Sequence, residues 1–148
     1  MSFNDDKDLR RYIILDHYEN PKHFVKDLKK IDKSYSFHNN NSPSCIDNIT
    51  AYVKTNKGKV ADVKLHGEGC AIATSSSDIM ASLLINKSKS EANKIIDNYL
   101  SMIDEKKFDE KKLGELYVFS NVSRQVNRIN CAKVGIVAIK EALNNEKK

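Results

Sequence analysis

The sequence predicts a mixed fold in which a small antiparallel sheet packs against several helices. Apolar and polar residues alternate over residues 49–55 and 59–66, as in two half-buried strands, and the second run predicts that Ala61, Val63 and Leu65 share one face. Asn56, Lys57 and Gly58 separate these runs and supply the residue types of a tight hairpin turn. The segments on either side of the hairpin instead show the three- and four-residue apolar spacing of helices.

The first predicted helix covers residues 8–19. It ends before Pro21, because a residue that precedes proline avoids helical angles. Residues 34–38 are then expected to form a short strand. Residues 39–44 are expected to be a loop, since they consist of Asn, Ser and Pro.

The part of the chain after the hairpin is predicted to be mostly helical. Ser88 and Glu91 have the spacing of a capping box at the start of one of these helices. The last helix is apolar on most sides, so we expect it to pack deeply. The predicted helices cover residues 73–84, 90–103 and 132–143, with a shorter helical stretch near 113–119.

Length and composition indicate a single soluble domain over residues 1–148. Hydrophobic residues make up 40% of the chain and charged residues 30%, as in a globular protein. No apolar stretch approaches the roughly 20 residues needed to cross a bilayer. The polar, acidic N-terminus does not resemble a secretory signal. An odd count of three cysteines argues against a disulfide framework, so we expect a cytoplasmic protein.

The formal charge of +5 does not predict a nucleic-acid-binding protein. Lysines alternate with acids, as in residues 104–112, which is typical of a solvated surface. No Lys/Arg cluster is interleaved with aromatic residues, as a groove for single strands requires. The mild basic balance instead favours docking onto an acidic protein partner.

Each of the three cysteines lies in a context suited to presenting a thiolate. Cys45 follows the Asn/Ser/Pro loop, Cys70 closes a glycine turn and Cys131 opens the last helix. Helix N-termini favour the charged form of a thiol, and Cys70 and Cys131 lie near such positions. Folding of the hairpin can also bring Cys45 and Cys70 to the same end of the sheet.

Together with Asp47, the cysteines are a candidate metal site. Zinc accepts four thiolate and carboxylate ligands, and an iron–sulfur cluster wants a similar anionic set, so the residues do not separate the two. Three thiolates and a carboxylate leave surplus negative charge around Zn²⁺, which Arg128 can offset. The sequence contains no Cys-x-x-Cys pair, and isolated cysteines are often small buried hydrophobes.

The sequence motifs around the cysteines resemble those of the SufU/IscU family of iron–sulfur cluster assembly proteins (NifU N-terminal-like). The matching motifs are Ser-Pro-Ser-Cys-Ile-Asp at 42–47, Gly-Glu-Gly-Cys-Ala-Ile-Ala at 67–73 and Arg-Ile-Asn-Cys-Ala at 128–132. Residues 15–21, Leu-Asp-His-Tyr-Glu-Asn-Pro, are similar to the opening helix of that family. The resemblance implies an α+β fold, with about three antiparallel strands against several helices and a metal site at one end.

Within the family the chain resembles SufU more closely than IscU. Asn130 stands where IscU proteins have a histidine directly before the third cysteine, and Arg128 is similar to the SufU pattern. Two departures from the family pattern bear on how a partner protein docks. Ile46 replaces the usual glycine, and residues 125–127 lack a proline often found there.

The resemblance also implies roles for individual residues. Zinc would be held by Cys45, Asp47, Cys70 and Cys131. Cys45, with Arg128 nearby, would accept persulfide sulfur from a SufS-like cysteine desulfurase and deliver it to downstream iron–sulfur assembly proteins. The chain would then be a sulfurtransferase. Alternatively it is a non-enzymatic scaffold for a nascent iron–sulfur cluster, or a structural zinc domain that binds protein or RNA.

Other polar residues are weaker candidates for chemistry. His66 could be a ligand, because it ends a predicted strand four residues before Cys70. The remaining histidines are expected to be surface or packing residues. Residues 75–77 are three serines without the glycine-flanked elbow of a hydrolase, so we expect them to lie at the top of a helix.

Overall fold

The computed structural model describes residues 7–42 and 46–145, in which three antiparallel strands form one sheet of order β1-β2-β3. The strands are β1 (Ser36–Asn41), β2 (Asn48–Asn56) and β3 (Lys59–Glu68). The α-helices are α1 (Lys7–Glu19), α2 (Ala71–Leu84), α3 (Lys89–Ile103) and α4 (Ile129–Asn144). This arrangement confirms the predicted α+β class.

One face of the sheet forms the core. Ile49, Ala51 and Val53 of β2 are buried with Val63 and Leu65 of β3, and α2 and α4 cover them. The opposite face is partly open, and the exposed ring of Phe37 lies beside that of Tyr52 there, with ring centroids 6.0 Å apart. The alternation in the sequence therefore reflects one buried and one solvated face.

The hairpin and helix boundaries agree closely with the predictions. Lys57 and Gly58 form the turn, and both have positive φ, which suits a two-residue hairpin. The capping box of Ser88 and Glu91 is present at the start of α3. The predicted helical stretch near 113–119 is present as a 3-10 helix over Gly114–Phe119.

The prediction of a loop from residue 39 was wrong for its first residues. β1 begins at Ser36 and continues through Asn41, which pairs with Asn48. The Asn39 amide donates to side-chain oxygens of Asn48 and Thr50 at 2.7 and 2.9 Å. These cross-strand bonds override the low strand propensity of asparagine.

Two local expectations were also wrong. Ala61 was predicted to share the buried face of Val63, but it is exposed, because the register shifts between Lys54 and Thr55 and leaves Ala61 as an extra residue on β3. The three serines at 75–77 lie inside α2 rather than at its top, and all are fully buried.

In the described part of the chain, no helix is both long and apolar enough to span a membrane.

Candidate metal centre

Three of the predicted ligands meet at one end of the sheet. A carboxylate oxygen of Asp47 and the sulfurs of Cys70 and Cys131 all lie within 4.8 Å of one another. Asp47 is 1% exposed and Cys131 is fully buried, whereas Cys70 is half-buried. The cluster therefore has a closed side formed by the core and an open side at Cys70.

Asp47 is held by the ends of the loop between β1 and β2. The backbone N–H of Ser42 donates to the Asp47 carbonyl at 3.0 Å, one step beyond the paired residues Asn41 and Asn48. The Asp47 carboxylate accepts the backbone N–H of Cys70 at 2.8 Å through Oδ1, and its Oδ2 lies 3.9 Å from the Cys70 sulfur. The carboxylate is thus oriented towards the thiol by a backbone bond.

Cys70 is the N-cap residue of α2. Its sulfur accepts the backbone N–H of Ala73 at 3.5 Å. The free N–H groups of a helix start therefore face this sulfur with their partial positive charge. This position confirms the prediction that Cys70 lies at a helix N-terminus.

Two glycines allow the strand end and the start of α2 to approach so closely. Gly67 has φ +130°, and a Cβ there would lie 2.1 Å from the carbonyl oxygen of Asn48. A Cβ on Gly69 would lie 3.4 Å from Oδ1 of Asp47 and 3.0 Å from the Cβ of Ala73. The Gly-x-Gly turn is therefore needed to bring Cys70 to Asp47.

Cys131 lies in the first turn of α4, which is anchored by two contacts. The fully buried Tyr99 donates its hydroxyl to the carbonyl of Ala132 at 2.9 Å, and burial raises the pKa of Tyr99 well above its usual range. The hydroxyl therefore remains a donor at neutral pH. Farther along α4, Gly135 crosses α2 so closely that a Cβ would lie 1.7 Å from the hydroxyl of Ser77.

Among the described residues, Arg128 and His66 are not part of this group. Cys45 lies outside the described residues, as do Pro43 and Ser44, so its place beside Asp47 stays a prediction. Arg128 is exposed at the N-cap of α4, and its side chain has no hydrogen bond or ion pair with any described residue. His66 is partly exposed on β3 and does not belong to the Asp47–Cys70–Cys131 group.

An open groove of about 820 Å³ borders the cluster. Its lining includes Gly69 and Thr74, on either side of Cys70, together with Tyr18 of α1 and Ile46, the neighbour of Asp47. Ile46 is 74% exposed although the next residue, Asp47, is buried. The residue that departs from the family pattern therefore presents an apolar side chain beside the cluster.

Sequence reasoning missed a buried carboxylate that holds α1 in place. Asp78 of α2 is fully buried, and its Oδ2 lies 2.7 Å from Nδ1 of His17. Its Oδ1 accepts the backbone N–H groups of Lys22 and His23 at 2.9 and 2.8 Å. The signal was weak, because an aspartate in the middle of a predicted helix is ordinarily a surface residue.

The donor set of this cluster fits zinc. Thiolates and carboxylates bind Zn²⁺ at about 2.0–2.3 Å. The donor atoms of Asp47, Cys70 and Cys131 lie within 4.8 Å of one another, so they can share one ion after a small inward shift. A fourth donor is needed for a closed tetrahedral site. Two thiols and an acid in one small group also suit an iron–sulfur cluster as cargo.

Comparison with known proteins places these features in a family. The family model described as NifU-like N terminal domain matches residues 10–132. The chain is 33% identical to the iron–sulfur cluster assembly scaffold protein IscU of Streptococcus pyogenes serotype M1, over 88% of this chain and 80% of the relative. It is 31% identical to the zinc-dependent sulfurtransferase SufU of Bacillus subtilis strain 168, over 99% of this chain and 97% of the relative.

Solved structures show the same fold. A crystal structure described as a scaffold protein for the SUF system, from Fervidobacterium islandicum AW-1, superposes with a TM-score of 0.75 at 28% identity. The similarity covers 88% of this chain and 93% of that one. A crystal structure of a hypothetical protein reaches a TM-score of 0.82 at 30% identity, covering 93% and 98% of the two chains.

Proposed function

This chain belongs to the family of NifU-like N-terminal domains, and we propose that it is a zinc-dependent sulfur acceptor in iron–sulfur cluster assembly. The proposed donor of sulfur is a persulfide on a cysteine desulfurase. The single observation that carries the proposal is the grouping of Asp47, Cys70 and Cys131, with ligand atoms within 4.8 Å of one another. The name of the Bacillus subtilis relative, a zinc-dependent sulfurtransferase, supports the same role.

The proposed zinc ligands are Asp47, Cys70, Cys131 and Cys45. Zinc, when bound, would keep the thiols deprotonated. The chain itself orients Asp47 through the amide of Cys70, and it places the Cys70 sulfur against the free N–H groups at the start of α2. Arg128, exposed at the start of α4, is proposed to offset the surplus negative charge.

The transfer step is a thiol–disulfide type exchange at Cys45. The Cys45 thiolate attacks the outer sulfur of the desulfurase persulfide, and an S–S bond forms at Cys45 while the S–S bond on the desulfurase breaks. The desulfurase cysteine leaves as a thiolate with the electron pair of the broken bond. The step needs no further oxidant or reductant.

A second candidate function is a scaffold on which an iron–sulfur cluster is built as cargo. The Streptococcus pyogenes relative, 33% identical, is named as such a scaffold. The same four residues would then bind the cluster, and the downstream iron–sulfur assembly proteins would receive it. Asn130 in place of histidine before Cys131 is the feature of this chain that favours the sulfur acceptor.

Metal and sulfide analysis of protein purified without oxygen distinguishes the two functions. We expect about one zinc per chain, no cluster absorbance, and persulfide on Cys45 after incubation with a cysteine desulfurase and cysteine. The variant Cys45→Ser should remain folded and take up no sulfur. Iron and sulfide in matching amounts, with zinc displaced, would instead establish the scaffold.

A further inference from the structure

Cys70 and Cys131 lie side by side although they belong to different helices. Their sulfurs are within 4.8 Å of each other, and neither residue forms a disulfide in this structure. A disulfide requires the two sulfurs to approach to about 2.05 Å. Rotation about the two Cα–Cβ bonds moves each sulfur between its staggered positions and can supply an approach of this size.

The two thiols differ in exposure, which fixes the order in which they can react. Cys70 is half-buried, whereas Cys131 is 0% exposed. Gly69 and Thr74, on either side of Cys70, line the open groove, so a small oxidant dissolved in water can reach Cys70 from there. Cys131 is screened from solvent and reacts only with a group already formed on its neighbour. An accessible thiol beside a second, resolving thiol is the arrangement that oxidation to a disulfide requires.

Asp47 provides an acceptor for the proton that Cys70 must lose. The thiolate is the reactive form of a cysteine. The Cys70 thiol faces Oδ2 of Asp47 across 3.9 Å, and the other carboxylate oxygen is held by the Cys70 amide at 2.8 Å. The carboxylate is therefore oriented to receive the thiol proton as the sulfur attacks.

We propose that Cys70 and Cys131 are a modification site at which hydrogen peroxide forms a disulfide in the metal-free chain. The Cys70 thiolate attacks one peroxide oxygen, an S–O bond forms, the O–O bond breaks, and the leaving hydroxide takes up a proton to become water. The Cys131 thiolate then attacks the sulfur of this sulfenic acid. An S–S bond forms, the S–O bond breaks, and a second water leaves. The two thiols lose two electrons, which reduce one peroxide to two waters.

This disulfide excludes a metal from the candidate centre. A cysteine binds a metal as its thiolate, so oxidation removes two of the three described donors. Disulfide formation therefore competes with metal loading, and a bound metal protects the pair. The inference goes beyond the proposed function, because it concerns the metal-free chain and is the same for zinc and for an iron–sulfur cluster.

Peptide mapping measures the pairing directly. Each of the three cysteines lies in a different tryptic peptide, and in chain order these are 34–54, 65–87 and 129–133. The 148-residue chain is reduced with a chelator present, desalted without oxygen, treated with equimolar hydrogen peroxide and alkylated with N-ethylmaleimide. A link between the second and third peptides should exceed any link to the first by about tenfold, because the fold holds these two thiols together.

The same reaction in urea is the matched control. Cys45 and Cys70 are much closer in sequence than Cys70 and Cys131, and the shorter loop closes more readily in an unfolded chain. The main product in urea should therefore link the first and second peptides. An unchanged preference for Cys70 and Cys131 in urea would overturn the proposal, because the fold would not direct the pairing. A dominant link to Cys45 in native buffer, or oxidation without any link, would also overturn it.

Two variants and a metal test complete the experiment. Cys45→Ser should form the link at unchanged yield, and loss of the link would overturn the proposal by placing the first oxidation at Cys45. Cys131→Ser should leave a sulfenic acid on Cys70, which dimedone captures. Zinc loaded before the peroxide should lower the yield of the link about tenfold, and the linked chain should bind zinc about tenfold more weakly until a dithiol reduces it. An unchanged yield with zinc bound would overturn the competition between metal and disulfide.

Discussion

The backbone amide of Cys70 donates a 2.8 Å hydrogen bond to Oδ1 of Asp47. The two residues are far apart in sequence, and each is a candidate metal ligand. The bond orients the carboxylate while its other oxygen faces the Cys70 sulfur at 3.9 Å. The fold therefore positions two of the candidate ligands relative to each other through a backbone hydrogen bond.

Substitution of Asp47 should affect the metal-free protein as well as metal binding. Asp47→Ala leaves the Cys70 amide without its acceptor, so the free energy of unfolding should fall by about 1–3 kcal/mol in the presence of a chelator. Asp47→Asn keeps an oxygen acceptor and should lose less. Urea unfolding of both variants measures the difference. Equal stability of the two would show that the hydrogen bond contributes nothing.

Gly67→Ala should destabilise the protein and weaken zinc binding together. The new Cβ would clash with the Asn48 carbonyl at 2.1 Å, directly beside Asp47. We expect a loss of about 3 kcal/mol or more, from positive-φ strain and steric displacement combined. Gly58→Ala is the control, because its φ is also positive but no atom lies within 4 Å. Calorimetry and zinc titration should show that this control loses about 1 kcal/mol and keeps its metal affinity.

Asp78→Ala should be among the most damaging substitutions away from the cysteines. The change removes the acceptor of two backbone N–H groups and leaves His17 without its buried partner. The free energy of unfolding should fall by about 3–5 kcal/mol. Asp97→Ala breaks only the exposed pair with Lys140 and should cost less than about 1 kcal/mol. Chemical denaturation of both variants would contradict this ranking if the losses were similar.

Ile46→Gly tests the groove under the proposed sulfur-acceptor function. The side chain is 74% exposed, so its removal should change the free energy of unfolding by less than about 0.5 kcal/mol. If a desulfurase covers the groove, the lost apolar contact should raise the apparent Michaelis constant of the desulfurase for this chain as sulfur acceptor several-fold. Phe37→Ser, an exposed apolar residue outside the groove, should leave this constant unchanged. An unaltered constant for Ile46→Gly would place Ile46 outside the docking surface.

Local sequence signals predicted most of the elements. Three of these signals depend only on neighbours within a few residues: the alternation in β2 and β3, the turn at Lys57 and Gly58, and the capping box at Ser88. For the same reason, the prediction that Cys70 begins a helix was confirmed. The errors at Asn39 and Ala61 arose where cross-strand bonds and a register shift outweighed local preference.

The candidate ligands and a metal site at one end of the sheet were predicted from the sequence motifs, but the contacts that orient Asp47 and Cys70 were not. The sequence by itself determined the element types, the hairpin and the identity of the cysteines and Asp47, because these depend on local chemistry. Only the tertiary structure decided that Asp78 holds α1 in place and that Gly135 lets α2 and α4 cross closely. These features join residues distant in sequence, and no local pattern encodes the distance between them.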